Sequence, residues 1–122
     1  MDTNLVLRDG STDFTADESL TAVEIGPMLR PMTLNVQVPE VSAGGDTLDV
    51  ELEFNDDGST QIDNANMKQI TAVGTYSIPF YTHHKYLLVK LNGTDGGGAA
   101  LDLGALKVWI SPAGRYDAVG DN

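Results

Sequence analysis

The 122-residue chain contains no cysteine, only two histidines and only seven basic residues. Without thiols it can form neither disulfide bonds nor thiolate metal sites. That absence is compatible with assembly in a reducing cytoplasm. No apolar run approaches the length of a membrane span, and the first four residues lack the basic and apolar regions of a secretory signal. We therefore expect a protein that does not enter a membrane and carries no signal peptide.

Basic residues are outnumbered by 18 acidic ones, which gives a formal net charge of -11. Residues 1–66 contain 14 acidic and 2 basic side chains, whereas residues 67–122 contain 4 acidic and 5 basic ones. Nucleic-acid binding depends on Lys and Arg displacing counterions from phosphates, so DNA and RNA are not expected partners. The acidic excess is typical of a well-solvated surface, and it leaves open complementarity to a basic partner surface.

A clean helical period is also missing, whereas strand patterns recur along the chain. Residues 48–54 alternate between apolar and acidic side chains, which is typical of a half-buried strand. Residues 55–59 follow as a hairpin loop, and residues 32–38, 86–91 and 106–110 repeat the alternation. Turn signals separate about eight to ten short strands. The sequence predicts an all-β antiparallel β-sandwich, with a jelly roll as the favoured version.

The remaining segments suggest how the chain is divided. Residues 1–20 are polar and turn-like, and they predict an N-terminal arm or a loosely docked segment. Residues 21–115 form the predicted sandwich domain, and residues 116–122 resemble a C-terminal tail. Shorter strands are expected at 5–7, 22–25, 67–70 and 100–103. A flexible glycine-rich loop is expected at 92–98.

No pattern typical of nucleophilic catalysis is present, because there is no cysteine, no glycine-flanked serine elbow and no histidine in a recognisable motif. Asp49, Glu51 and Glu53 lie on one face of a predicted strand, about 7 Å apart. They alternate with core positions, so we expect a solvated face rather than a glycosidase pair. We predict no enzyme activity and assign no catalytic residue.

Two stretches resemble metal-binding patterns. The Asp56-Asp57-Gly58 turn with Asp63 resembles the start of a calcium loop but lacks its twelve-residue spacing and final glutamate. His83 and His84 are adjacent, and neighbouring strand residues point to opposite faces. We therefore assign neither a metal site nor a cofactor.

Aromatic residues outside the predicted core are the better candidates for binding. Trp109 alternates out of phase with its apolar neighbours, so it could cover a second face, anchor a protein contact or stack on a glycan. Further aromatic residues and the two histidines follow Pro79. The candidate partner interface comprises Leu5, Val6, Leu7, Arg8, Phe80, Tyr81, His83, His84 and Trp109.

Residues 5–18 and the hairpin at 52–60 are similar to segments of small structural proteins of tailed bacteriophages, and the chain resembles their head decoration, or capsid cement, proteins. The resemblance implies a protein made in the host cytoplasm and located on the outer surface of the capsid. It implies binding to the major capsid protein and stabilisation of contacts between neighbouring capsid subunits. Self-association as a dimer or trimer stays open.

Two other functions remain. The first is a glycan-binding module for adhesion to host surfaces, since similar hairpins occur in galactose-binding-like lectin domains. Those domains commonly have an aromatic residue where this chain has Gln61. The second is a tail or connector component, which predicts a few copies per virion rather than hundreds.

Overall fold

The computed structural model describes residues 5–41, 45–97 and 100–112, and within these ranges it contains β-strands and no helix. The strands are β1 (Leu5–Asp9), β2 (Glu18–Ser19), β3 (Val23–Glu24), β4 (Met32–Val38), β5 (Thr47–Asn55), β6 (Asp63–Asn66), β7 (Gly74–Phe80), β8 (Tyr86–Thr94) and β9 (Lys107–Pro112). Each pair of neighbouring strands is antiparallel. The predicted all-β antiparallel sandwich is confirmed.

The strands form two sheets. Sheet A has the order β1-β9-β4-β7, and sheet B has the order β2-β8-β5-β6, with β3 also paired to β8. Four of the strand pairs are nested in sequence, with β5–β6 innermost, then β4–β7, then β2–β8, and β1–β9 outermost. The jelly-roll version of the sandwich stays a prediction at this point.

The core lies between the two sheets and is built from the alternating side chains of the longest strands. In sheet B, Leu48, Val50, Leu52 and Phe54 of β5 are at most 4% exposed. The facing residues of β4 and β9 are equally buried, namely Leu34, Val36, Val38, Val108 and Ile110. Burying one such side chain contributes roughly 1.5–3 kcal/mol before entropy is subtracted. The period-two pattern therefore predicted the buried face correctly.

Residues 5–20 are part of the sandwich, so the predicted arm or loosely docked segment is wrong for this part of residues 1–20; residues 1–4 lie outside the described residues. Strand β1 pairs with β9 along the edge of sheet A, and Glu18 and Ser19 pair with β8 in sheet B. Between them, Phe14 is fully buried in the core. Its N–H donates to Gly104 O at 2.8 Å, and its carbonyl accepts from Leu103 N–H at 3.1 Å.

Phe14 also explains a glycine that the sequence placed in a loop. Gly93 lies inside β8, which continues to Thr94, so the predicted glycine-rich loop starts later than residue 92. A Cβ on Gly93 would lie 2.8 Å from Phe14 Cε2 and 2.7 Å from Leu101 Cδ2. The strand therefore has glycine there because two apolar side chains approach its backbone closely.

Other boundaries also differ from the sequence prediction. The return strand of the hairpin is Asp63–Asn66, whereas the predicted strands at 67–70 and 100–103 do not form. Ile70 is nevertheless held by a single bridge, in which Ile70 and Leu48 exchange backbone hydrogen bonds of 2.9 and 3.0 Å. The predicted tail at 116–122 lies outside the described residues.

The loop between β5 and β6 is a hydrogen-bonded turn, as its sequence predicts. The Asp57 carboxylate accepts from the backbone N–H groups of Thr60 at 2.7 Å and Ser59 at 2.8 Å. Asn55 Oδ1 accepts from Gly58 N–H at 2.6 Å, and Gly58 has a φ of 89°. Because these bonds favour the ionised carboxylate, they lower the pKa of Asp57 to about 2.

A pH titration of Asp57 followed by NMR is expected to give a midpoint near 2, below its ordinary value of 3.8. Because the folded pKa is lowered, the stability that Asp57 provides is complete above the unfolded pKa. It is lost as the pH falls from about 4 towards 2. Asp57→Asn should remove this component of the pH dependence of unfolding. A midpoint near 3.8 would contradict the turn geometry.

Candidate interaction surface

Several predicted interface residues meet at the β1 edge of sheet A. Val6 pairs directly with Trp109 of β9, and both side chains lie on the outer face of the sheet. Leu5 and Val6 are 43% and 47% exposed, whereas Leu7 and Trp109 are half-buried. Lys107 Nζ lies over the Trp109 ring, 5.4 Å from its centre, which is within the range of a cation–π contact. This group forms a contiguous surface.

Arg8 is not available to a partner, which corrects its place in the predicted interface. Its side chain is 7% exposed, and Nε and Nη2 donate to the two carboxylate oxygens of Glu18 at 2.9 and 3.0 Å. Nη1 donates to the carbonyl oxygens of Thr12 and Leu106 at 2.8 and 2.9 Å. The guanidinium therefore joins β1 of sheet A to β2 of sheet B. Such planar, bidentate pairing is the geometry that arginine favours.

The remaining predicted residues lie around the connection from β7 to β8. Phe80 is buried against Phe54, with ring centroids 6.0 Å apart, so it belongs to the core and not to an interface. Tyr81 and His83 are exposed and pack edge to face at 5.2 Å. His84 Nδ1 lies 3.3 Å from an Asp56 carboxylate oxygen, which links this connection to the hairpin loop.

The structure does not bring the two groups into one patch. Strands β1 and β7 form opposite edges of sheet A, about 14 Å apart if each strand spacing is about 4.8 Å. Of the predicted interface, Val6 is exposed on the outer face of sheet A next to Trp109, and Leu5 is exposed at the same edge on the side of Ile110.

The outer face of sheet A is nearly free of charge. One row runs across all four strands as Val6, Trp109, Asn35 and Ser77. The flanking outward positions of β4 and β7 are Thr33, Gln37, Thr75 and Pro79. The four strands of this sheet contain three charged residues, of which Arg8 is buried and Asp9 pairs in register with Lys107.

The centre of this face is an ordered polar network. Asn35 is 8% exposed although it points outward. Its Nδ2 donates to Ser111 Oγ at 3.0 Å, and its Oδ1 accepts from Ser77 Oγ at 2.7 Å. The network rigidifies the face, because a satisfied side-chain network restricts each of its members. Sequence reasoning missed these residues, although the absence of charge in β4 and β7 was a readable signal.

The outer face of sheet B is acidic. Its strands contain six acidic residues and one basic residue, Lys90. The acidic residues are Glu18, Glu24, Asp49, Glu51, Glu53 and Asp63. Glu24, Asp49, Glu51 and Glu53 lie at outward positions, whereas Glu18 pairs with Arg8 and the exposed Asp63 is in register with the inward-facing Phe54. The two sheets therefore present outer faces of different charge.

Glu53 corrects the prediction of a fully solvated carboxylate row. Its side chain is 4% exposed, and Oε2 lies 2.9 Å from Lys90 Nζ. Strand β5 lies between β6 and β8, so Asn64 and Leu88 flank Glu53 in register on either side. The hydrogen bond that Lys90 donates to Glu53, followed by the negative charge of Glu53, raises the pKa of Lys90.

Comparison with protein-family models and with curated proteins finds no match for this chain. Within the described ranges, no group of three or more His, Asp or Glu residues is arranged to hold a metal ion. The same part of the chain contains no helix long and apolar enough to cross a membrane.

Proposed function

We propose that this protein is a head decoration protein of a tailed bacteriophage, located on the outer surface of the capsid. It binds the assembled shell and stabilises contacts between major capsid subunits. The resemblance of residues 5–18 and 52–60 to such proteins suggests this role. The observation that carries the proposal is the unequal charge of the two sheets, one nearly neutral and one acidic.

A neutral, rigid face is suited to being buried against a large protein surface. Removing unpaired charges from water is expensive, and the cores of protein interfaces are accordingly depleted in charged residues. The outward positions of β4 and β7 carry hydroxyl, amide and proline side chains, and Trp109 and Val6 add apolar area. We infer that the outer face of sheet A contacts the shell.

The acidic sheet then faces the solvent. Like charges on neighbouring particles repel one another, which keeps decorated particles dispersed. A protein that binds only the assembled shell stabilises it by mass action, and the contributions of the many copies on one shell add together. This role requires a stiff scaffold and a flat docking face, and no reactive group.

The nested strand pairs support the jelly-roll version of the sandwich. A jelly roll is a double sheet whose chain winds as paired strands around the core. Here β5–β6, β4–β7, β2–β8 and β1–β9 are nested, and β4 and β5 join these pairs to β9 and β8. We therefore propose that the sandwich is a jelly roll.

Placing negative charge on the neutral face should abolish shell binding. In Gln37→Glu/Thr75→Glu, both substituted positions are exposed and lie opposite each other on β4 and β7. We expect at least a tenfold loss of occupancy on purified undecorated heads, because two carboxylates would have to be desolvated in the interface. Occupancy is measured by co-sedimentation with heads and quantitative gel densitometry.

A matched variant, Asn92→Asp/Thr94→Glu, adds the same charge to exposed positions on the outer face of sheet B. It should bind heads like the unmodified protein, while both variants keep the far-ultraviolet spectrum of a β-protein. Equal loss of binding in the two variants would refute the proposed orientation. Failure of the unmodified protein to bind any head would refute the function itself.

A further inference from the structure

The two edges of sheet A differ in how well they are protected against pairing with another strand. Strand β7 contains Pro79, which has no N–H to donate, and Met67 and Lys68 lie beside it around a cavity of about 170 Å³. Strand β1 has five residues and no proline, and its register with β9 shifts between Val6 and Arg8. Leu5 and Val6, on the N-terminal side of that shift, are 43% and 47% exposed. An exposed apolar edge strand is a template for adding another strand.

The edges of sheet B are less suitable. Strand β6 has four residues, and three of them are exposed aspartate or asparagine. On the opposite side, β2 and β3 are two residues each. Polar side chains and very short strands are common protections of a sheet edge. Among the described strands, β1 is therefore the edge best suited to accept a partner.

The surroundings of β1 have room for inward-pointing side chains. A groove of about 380 Å³ runs between the edges of the two sheets and is lined by residues 6–9 of β1 with Thr12, Glu18 and Leu20. Leu5 pairs in register with the buried Ile110, and Leu7 packs against the core. A strand added to β1 would cover this groove and place apolar side chains over it.

Charge around this edge is balanced, although the whole chain carries -11. The Arg8 guanidinium is paired with Glu18, and Asp9 lies in register with Lys107. The edge thus offers no excess of one charge that would select a strongly basic or acidic strand. It is instead suited to an apolar strand with balanced charge, and β1 itself has that chemistry.

We propose that β1 pairs with β1 of a second copy of this chain, antiparallel and around a two-fold axis at Val6. In that register Val6 faces its own equivalent and Leu5 faces Leu7 of the second copy. The register centred on Leu7 would place Leu5 opposite Asp9 and Val6 opposite Arg8, which pairs apolar with charged side chains. A two-fold interface uses the same surface of both copies, so its pattern must be self-complementary in this way.

The result is one continuous eight-stranded sheet. On its outer face the Val6 pair is flanked on both sides by Trp109, so the dimer would reduce the solvent exposure of Val6 and of the half-buried tryptophan together. Aromatic and β-branched residues in neighbouring strands are favourable cross-strand pairs. The edge that is open in one copy is no longer an edge in the dimer.

The salt dependence of this association has a definite sign. Two chains of net charge -11 repel one another, and salt screens that repulsion over a Debye length of about 8 Å at 0.15 M and about 3 Å at 1 M. The dimer should therefore tighten when NaCl is raised from 0.15 to 1 M. Binding to a basic partner would weaken over the same range.

Sedimentation equilibrium of the full chain tests the proposal. The 13.0 kDa chain should approach twice that mass at about 100 µM, more completely at 1 M NaCl. Val6→Lys should weaken the dimer at least about 100-fold, because it sets two cations opposite each other at the axis. Val73→Lys is the control, since Val73 is 59% exposed and lies outside the strands.

Cysteine cross-linking gives a second readout that does not depend on a disruptive variant. The chain has no cysteine, so Val6→Cys introduces a single thiol. Directly opposed cross-strand residues bring Cβ atoms to about 4.5–5.5 Å, near the range that a disulfide needs. Mild oxidation should link Val6→Cys into a covalent dimer at least about tenfold faster than Val73→Cys.

The following results would overturn the proposal: a monomer at about 1 mM in both salt concentrations, a dimer that Val6→Lys leaves intact, or equal cross-linking of the two cysteine variants. A chain that is monomeric alone, but whose Val6→Lys variant no longer binds heads, would assign the β1 edge to the shell subunit instead. The sedimentation and cross-linking results do not depend on the head-binding test of the proposed function. The two proposals can therefore fail separately.

Discussion

Replacing Phe14 by alanine is expected to lower the free energy of unfolding by about 3–5 kcal/mol. The ring is fully buried, and it fills the space against Gly93 and Leu101 where β8 has no side chain of its own. Its removal would leave a cavity that the surrounding strands cannot close, because Phe14 is held in place by backbone bonds to Leu103 and Gly104. This expected loss distinguishes a structural segment from a mobile arm.

Urea denaturation, followed by tryptophan fluorescence and circular dichroism, measures the effect. Leu29→Ala is the control, because Leu29 is 96% exposed and its truncation should change stability by less than about 0.5 kcal/mol. If Phe14→Ala cost less than about 1 kcal/mol, residues 5–20 would not be an integral part of the sandwich.

Arg8→Met is expected to destabilise the protein by about 2–4 kcal/mol. The substitution keeps much of the side-chain volume but removes the donors to Glu18 and to the carbonyl oxygens of Thr12 and Leu106. The Leu106 carbonyl lies in the interior, and a buried acceptor without a donor loses the full cost of its desolvation. Glu18 is one-third exposed, which reduces its share of the loss.

A double-mutant cycle separates the ion pair from the packing. Arg8→Met/Glu18→Met should cost less than the sum of the two single variants, because the double variant leaves no carboxylate without its partner. Arg30→Met, at an exposed arginine, controls for the loss of positive charge in an acidic protein. Strict additivity in the cycle would show that Arg8 and Glu18 do not stabilise each other.

Phe14 and Arg8 also affect the proposed docking surfaces indirectly, through the segment that they stabilise. Phe14 and Arg8 hold the segment that contains β1, and β1 supplies Val6 to the outer face of sheet A and to the open edge. A variant that loosens this segment would impair shell binding and dimer formation without touching either surface. Binding tests on the faces therefore require variants whose stability is known.

The strands of the central sandwich were predictable from local pattern. Residues 32–38 and 48–54 alternate cleanly, and the structure buries the apolar members of both series except Met32, which is half-buried. The hairpin at 55–59 was predictable because Asp57 and Gly58 satisfy the turn within a few residues of themselves. In each case the interactions that decide the conformation are close in sequence.

The same reasoning failed for residues 5–20 because the partners of this segment are distant in sequence. From the sequence, Arg8 is expected at the surface. In the structure it donates a hydrogen bond to Leu106 O, 98 positions away in the chain. Phe14 is the single large apolar residue of a polar stretch, yet its backbone bonds to residues 103 and 104 and its side chain is buried. Glu53 continues an acidic alternation, yet Lys90 of the neighbouring strand covers it. The local periodicity of hydrophobic residues contains no information about contacts between distant segments.

Alternation along the chain was enough to establish an all-β sandwich, its inward face and its main hairpin, because a strand has only two faces and burial selects one of them. Alternation could not predict the order of strands in each sheet, since strand pairing joins segments far apart in sequence. That order decided that β1 is an edge, that Trp109 stands beside Val6, and that charge is collected on sheet B and nearly absent from sheet A. A surface is made of residues from many strands, so only tertiary structure shows which side chains share it.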